Sequence, residues 1–213
     1  MDMRIKSLSL RNIRLFGDNP QTVSFDADKN VVILLGNNGS GKSTILDAAS
    51  ILLSSYVGSF PGNTAKSFKD SDVHILSDNQ VAPYLYVSMD LELENGEICK
   101  VSRTRKGWEK SPLSEVKELK AYAEGVQEEI LANKVKVNLP ILAYYGTGRG
   151  QIKAPERKRG FQTVFARWDC YNNSLDAASN FKRFFAWYDM MEDEERRERE
   201  RRRDFSYRSP VLA

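Results

Sequence analysis

Apolar and polar residues alternate over the first thirty residues, which is the pattern of strands with one buried face. Leu8 and Leu10 stand between polar neighbours, and Val23 and Phe25 repeat the pattern a short distance later. The apolar residues 31–35 then follow without a polar interruption. A continuous run of this kind predicts a central strand that is buried on both faces.

After residue 44 the apolar spacing changes to that of a helix, because Ile45, Ala49 and Leu52 share one helical face. Residues 54–80 are polar and rich in turn-forming residues, which predicts a long loop that can be partly disordered. Two alternating runs then flank the pair Asn95-Gly96. Since these residue types tolerate a positive φ, the pair predicts a hairpin with a two-residue turn.

Residues 114–133 predict a second helix, with Val116, Leu119, Tyr122 and Val126 on one face. The apolar residues 141–145 then predict another buried strand, which runs into a glycine-rich turn.

Aromatic residues recur at helical spacing in the last third of the chain, which favours helices packed in a core, with stacking on nucleic-acid bases as the alternative. These residues are Phe161, Phe165, Trp168, Tyr171, Phe181, Phe184, Phe185 and Tyr188.

Residues 192–204 are all charged, and they contain no apolar heptad positions, so they do not form a coiled-coil seam. Opposite charges four residues apart predict a solvated helix with ion pairs along its surface, and a binding element is the alternative. The pairs are Glu192/Arg196, Asp193/Arg197, Glu195/Arg199 and Glu198/Arg202.

The segment "GNNGSGKST", residues 36–44, connects the first apolar run to the first helix and fits the Gly-x-x-x-x-Gly-Lys-Ser pattern of a phosphate-binding loop. Glycines allow the backbone N–H groups to point at a phosphate, and the start of the helix adds its positive end. We predict that Lys42 is the catalytic residue that reaches the β and γ phosphates. Ser43 is predicted to hold Mg²⁺. Thr44 is predicted to direct its hydroxyl toward the α-phosphate. The other predicted contacts are Asn37, Asn38, Gly39, Ser40 and Gly41.

The composition is that of a globular protein, with 41% hydrophobic and 29% charged residues in 213. No run approaches the roughly 18 apolar residues that a membrane span needs, and the first residues lack a signal-peptide core. We therefore predict a cytoplasmic protein with no membrane partner. The single histidine, His74, argues against zinc sites and histidine-based triads.

The residues around the loop carry a family resemblance. Asn12-Ile13-Arg14-Leu15-Phe16, followed by "VVILLGNNGSGKSTILDA", resembles the N-terminal lobe of RecF/SMC-like ABC-type ATPases. This branch includes many AAA-labelled proteins of repair and defence systems. The resemblance implies ATP and Mg²⁺ as ligands. It also implies that Arg14 contacts the nucleotide, with a plain surface or interface arginine as the alternative.

The same resemblance implies an α/β fold of the P-loop NTPase class. We expect a mixed sheet, an antiparallel hairpin layer and a C-terminal helical appendage. Residues 1–155 would form the nucleotide-binding lobe. Residues 156–213 would be a helical insertion or the start of a second half.

"LPILAYYGTGRG" resembles the strand that leads to the family's Q-loop, which senses the γ-phosphate and the metal. No glutamine stands at the matching position. Gln151 is the candidate metal contact, and Arg149 is the alternative.

Two other parts of such ATPases are not recognisable, a signature loop and a Walker B aspartate. The segment with Asp90 and Glu92 is the one candidate for Walker B, but its alternation favours an ordinary strand. The chain therefore resembles the first half of a head domain, which would bind ATP without turning it over. The resemblance implies that the full form hydrolyses ATP in a homodimer, with ATP between the two heads. Its role would lie in DNA repair, chromosome maintenance or phage defence, and a non-hydrolysing, nucleotide-dependent dimerisation module is the alternative.

Basic residues collect in two places that a DNA backbone could contact, and solvated loops are the alternative. They are Arg103, Arg105, Lys106 and Lys110 on the hairpin, and Arg149, Lys153, Arg157, Lys158 and Arg159 after the second glycine-rich turn.

Overall fold

The protein divides into two units, Met1–Tyr144 and Tyr145–Ala213, in a computed structural model. The structure describes residues 3–26, 28–132, 137–147, 166–177 and 182–210, without the side chains of residues 182–184. The predicted boundary after residue 155 stays a prediction.

The first unit is built on a four-stranded antiparallel sheet with the order β2-β1-β3-β4. Its strands are β1 (Arg4–Arg11), β2 (Gln21–Ser24), β3 (Tyr84–Glu92) and β4 (Ile98–Lys106). Leu8 lies opposite Met89, which lies opposite Val101, and all three side chains are buried. Because side chains alternate between the faces of a strand, this register places one apolar stripe on the same face of three strands.

Two helices cover that face, α1 (Lys42–Val57) and α2 (Lys117–Leu131). Leu52 and Tyr56 of α1 and Leu119 of α2 are fully buried between the helices and the sheet. These elements confirm the predicted α/β class with its antiparallel layer. No helix within the described ranges is both long and apolar enough to cross a bilayer.

The hairpin of β3 and β4 is confirmed, but its turn is longer than predicted. Leu93 pairs with Glu97, so that Glu94, Asn95 and Gly96 form a three-residue loop. Gly96 is left-handed, with a φ of 82°. The Asn95 side chain accepts a hydrogen bond from the Glu97 backbone amide at 3.0 Å. This hydrogen bond favours the three-residue loop over the predicted two-residue turn.

The predicted strands at 31–35 and 141–145 were wrong. Neither segment is a strand, and the side chains of Val31 and Leu35 are 75% and 88% exposed, with Ile141 at 96%. A buried parallel strand needs a hydrogen-bonded neighbour, and the described residues supply none to either segment. The parallel part of the predicted mixed sheet is therefore not formed among them.

The polar segment after α1 is a loop, as predicted, but it is ordered and packed. Phe60 and Phe68 are buried, and the Lys66 amide donates to Ser54 Oγ at 2.8 Å. A short 3₁₀ turn, Asp70–Asp72, follows. The buried residues of the segment after α1 lack a regular spacing, so the hydrophobic periodicity of the sequence did not reveal them.

The second unit contains a 3₁₀ turn, Arg167–Tyr171, and the helix α3 (Lys182–Arg202). Tyr171 is buried, whereas Phe185 and Tyr188 are 46% and 40% exposed. Trp168 lies in the 3₁₀ turn rather than in a helical stripe. Phe161, Phe165 and Phe181, and the side chain of Phe184, lie outside the described part.

The charged end of α3 holds the chain that follows it. Glu195 pairs with Arg199, as predicted, and also accepts a hydrogen bond from the Ser209 amide at 2.7 Å. Arg199 Nε donates to the Tyr207 carbonyl at 2.8 Å. Of the other predicted pairs, Glu192/Arg196 and Glu198/Arg202 form at 3.9 and 3.0 Å, while Asp193 faces Arg196 at 3.6 Å. Because Glu195 is buried, this end of α3 is not simply a solvated surface.

Candidate functional site

The glycine-rich loop makes a tight turn into α1. Gly39 and Gly41 have φ angles of 83° and 94°, a left-handed region that glycine adopts without strain. A Cβ at Gly36 would lie 2.6 Å from Ser40 Oγ, inside the turn. Gly39 and Gly41 therefore require glycine for their backbone conformation, whereas a side chain at Gly36 would have to displace the Ser40 hydroxyl.

The turn formed by residues 12–17 supports this loop from one side. A Cβ at Gly41 would lie 2.8 Å from Cζ of Phe16 and 3.2 Å from Cδ2 of Leu15. Phe16 is buried, and its amide donates to the Ile13 carbonyl at 2.8 Å. The two motifs that carry the family resemblance are thus in direct contact.

Lys42 lies over the loop that precedes it. Its Nζ donates to the carbonyls of Gly36 and Asn37 at 2.7 and 2.6 Å, and lies 3.4 Å from Ser40 Oγ. These acceptors are neutral. A phosphate would offer charged oxygens, and hydrogen bonds between two charged groups are the stronger kind.

The remaining loop residues differ in exposure. Ser43 is exposed in the first turn of α1, where its hydroxyl oxygen can meet a cation. Asn37, Asn38 and Ser40 are exposed as well, whereas Thr44 is only 3% exposed.

Arg14 is held between two carboxylates. Its Nη1 lies 2.6 Å from Asp47 Oδ2 on α1, and its Nε and Nη2 lie 3.0 and 2.8 Å from Asp72 Oδ1. Burial alone would lower the pKa of Arg14, but the hydrogen bonds to Asp47 and Asp72 outweigh it and raise that pKa. The predicted nucleotide contact therefore has a defined position beside α1, with protein partners.

The backbone of Arg14 is also fixed. Its φ is 50°, its amide donates to the Asp72 carbonyl at 2.7 Å, and His74 Nδ1 donates to its carbonyl at 2.5 Å. Sequence reasoning gave His74 no role, since a lone histidine in a polar loop carries no pattern. Nearby, Asn12 is fully buried, and its side-chain amide has no hydrogen-bond partner within the described chain.

Asp47 and Tyr144 belong to the same cluster, and sequence reasoning missed both. The Tyr144 hydroxyl donates to Asp47 Oδ1, the oxygen that Arg14 leaves open. Burial, followed by the hydrogen bond to Asp47, raises the pKa of Tyr144 to about 12, so the phenol keeps its proton at neutral pH. Lys66 Nζ lies 5.2 Å from the centre of the Tyr144 ring. The available signal was the position of Asp47, four residues after Ser43 on the same helical face.

Asp90 and Glu92 form part of an ordinary strand, as the alternation favoured. They alternate with the buried Met89 and Leu91, so they lie on the face of β3 turned away from the helices. Asp90 accepts a hydrogen bond from Ser7 Oγ at 2.8 Å, and Glu92 pairs with Lys6 at 3.4 Å.

The arginine side chains of the hairpin form hydrogen bonds with other parts of the protein. Arg103 donates to Ser55 Oγ at 3.3 Å, and burial lowers the pKa of its guanidinium. Arg105 donates to the Phe68 carbonyl at 3.1 Å and pairs with Asp70. Lys106 and Lys110 are exposed. The candidates Gln151 and Arg149 lie outside the described residues, and so do Lys153, Arg157, Lys158 and Arg159.

Comparison with known proteins shows the family of this chain. Residues 7–205 match the family described as AAA domain. The Retron Vc95 probable ATPase of Vibrio cholerae serotype O1 biovar El Tor is 30% identical over 90% of this chain and 38% of the relative. The Retron Ec83 probable ATPase of Escherichia coli is 28% identical over 87% of this chain and 34% of the relative. The chain thus spans well under half the length of these curated relatives.

Two solved structures show weaker similarity. One comes from work on the ATP-driven dimerisation and DNA-stimulated activation of SMC ATPases. It has 19% identity and a TM-score of 0.41, covering 55% of this chain and 75% of that one. The other is the Smc head domain with an extended coiled coil, bound to the C-terminal domain of ScpA, from Pyrococcus furiosus. It has 20% identity and a TM-score of 0.40, covering 56% of this chain and 32% of that one.

Proposed function

Because the chain belongs to the AAA domain family, we propose that it binds ATP with Mg²⁺ at residues 36–44, as the N-terminal part of a RecF/SMC-like ATPase. The observation that carries the proposal is the loop itself. Its left-handed glycines lead into the first turn of α1, and the Lys42 ammonium lies over carbonyls of the same loop. This arrangement suits an anion, since the first amides of a helix have no acceptor within the helix and Lys42 adds a positive charge.

The residues present fit a nucleotide and its metal. Gly39 and Gly41 are left-handed, so the turn of the loop depends on glycine at these two positions. Lys42 would exchange its carbonyl partners for phosphate oxygens, and the exposed hydroxyl of Ser43 would hold Mg²⁺. Bound Mg²⁺ would neutralise part of the phosphate charge. The Arg14 guanidinium, with N–H groups left over from its two carboxylates, would add a contact to the nucleotide.

Hydrolysis needs a group that orients or activates water, and the candidates Asp90 and Glu92 face away from the helices. We therefore propose that hydrolysis belongs to a longer protein, in a homodimer with ATP between two heads. The retron relatives support a role in phage defence over DNA repair or chromosome maintenance. We also propose that the longer protein contacts DNA.

The position of Asp90 and Glu92 equally favours the second candidate function, a nucleotide-dependent dimerisation module that does not hydrolyse ATP.

The proposal is tested by calorimetric titration of the 213-residue chain with ATP and Mg²⁺. We expect Lys42→Ala to weaken binding by at least about thirtyfold, because it removes a charge-assisted hydrogen bond to phosphate. Lys29→Ala is the matched control, since Lys29 is an exposed lysine outside the loop, and it should bind like the wild type. A wild type that does not bind ATP, or a Lys42→Ala variant that binds equally well, contradicts the proposal.

A further inference from the structure

Both carboxylate oxygens of Asp47 are engaged by side chains from distant parts of the chain. Arg14, in the turn at residues 12–17, donates to Oδ2 at 2.6 Å, and Tyr144, which follows Asp47 by 97 residues, donates to Oδ1. Asp72 holds the opposite edge of the Arg14 guanidinium at 2.8 Å. The four side chains therefore form one connected network, Tyr144 to Asp47 to Arg14 to Asp72.

This network begins on the helix that carries the predicted phosphate and metal contacts. Asp47 follows Ser43 by four residues. Residues with this spacing are neighbours on the surface of a helix. An unrestrained carboxylate at this position would compete for the cation at Ser43 and would repel a triphosphate. The hydrogen bonds from Arg14 and Tyr144 keep it turned toward the protein instead.

We infer that Tyr144 is a positioning residue for the nucleotide site, acting through Asp47 on Arg14. The inference rests on the proposed function. By binding Oδ1, the phenol fixes the orientation of the carboxylate, so that Asp47 meets Arg14 with Oδ2 alone and the guanidinium keeps N–H groups for a phosphate. Without the phenol, the carboxylate can turn both oxygens toward Arg14, and a guanidinium binds such a pair of oxygens with two parallel hydrogen bonds. Arg14 would then be drawn toward α1.

This inference gives the segment that contains Tyr144 a role in the nucleotide site. Residues 137–147 form no strand, yet Tyr144 is half-buried, while its neighbour Tyr145 is 68% exposed. A phenol is protonated throughout the neutral range, and the raised pKa of Tyr144 extends its role as a donor to Asp47 to more alkaline pH. Tyr144 thus joins this segment to the phosphate-loop helix through a hydrogen bond between side chains.

The test compares the affinity for ATP and Mg²⁺ of Tyr144→Phe with that of the wild type by calorimetric titration. Tyr144→Phe removes only the hydroxyl, and we expect affinity to fall roughly fivefold, the net worth of one hydrogen bond. Tyr145→Phe makes the same chemical change on the adjacent exposed residue and should leave affinity unchanged. Asp47→Asn, which keeps the side-chain shape but removes the charge that holds Arg14, should also weaken binding. Thermal unfolding of each variant verifies that it is folded.

A second comparison separates positioning from a general loosening of the fold. In an Arg14→Ala background, Tyr144→Phe should cause no further loss of affinity, because its effect passes through Arg14. An equal loss in both backgrounds, or no loss in either, overturns the inference while the proposed function stands. A wild type without affinity for ATP would instead overturn the proposed function itself.

Discussion

At the scale of single residues, the glycines of this chain differ in the atoms that a Cβ at each position would contact. Gly41 has a φ of 94°, and its Cβ would lie 2.8 Å from the buried ring of Phe16. Gly96 has a φ of 82° but faces open space. The loop thus depends on Gly41 for two reasons, backbone conformation and contact with the turn at residues 12–17. The hairpin depends on Gly96 for the first reason only.

We predict that Gly41→Ala lowers the free energy of unfolding by about 2–4 kcal/mol, the sum of left-handed strain and a steric clash with Phe16. Gly96→Ala should cost about 1–2 kcal/mol, because it adds only the strain. Urea unfolding of both variants measures the difference. Equal losses would show that the contact between Phe16 and the phosphate loop does not constrain Gly41.

At the same scale, the candidate nucleotide site could be only partly proposed from the sequence. The loop is a local pattern, so the spacing alone was enough to propose Lys42 and Ser43. The network of Arg14, Asp47 and Tyr144 joins three distant segments. No local spacing encodes such a contact, and the sequence therefore indicated Arg14 without its partners.

At the scale of elements, periodicity identified β1, the hairpin, α1 and α2, because each of them buries one face in a regular pattern. It failed for residues 31–35 and 141–145. An apolar run indicates a buried strand only when neighbours are present to pair with it, and the run itself does not contain that information. It also missed the packing of residues 58–72, where the buried Phe60 and Phe68 follow no period.

The end of α3 provides a prediction at this scale. Glu195 is 7% exposed and holds both Arg199 and the Ser209 amide. We predict that Glu195→Ala releases the segment after α3, so that the Ser209 amide exchanges with solvent at least about tenfold faster.

Glu192→Ala is the control for this measurement, since the ion pair of Glu192 with Arg196, at 3.9 Å, is exposed. Its hydrogen exchange should match that of the wild type. If the two variants exchange alike, Glu195 does not hold the segment after α3.

At the scale of the whole molecule, the described parts of the two units contain different elements. The first unit contains the phosphate loop and the sheet that supports it, while the second contains α3 and the charged contacts at its end. The apolar residues 31–35 lead directly into the loop, and four of the five are exposed, so the loop is held by α1 and the turn at residues 12–17 instead. The central claim is that this loop binds a triphosphate.

The most direct test of that claim is NMR titration of the ¹⁵N-labelled chain with ATP and Mg²⁺. The account predicts that the largest chemical-shift changes fall on the amides of Gly39, Gly41, Lys42 and Ser43, and that Lys42→Ala abolishes them. Shifts confined to β4 around Arg103, or no shifts at saturating ATP, would contradict the account.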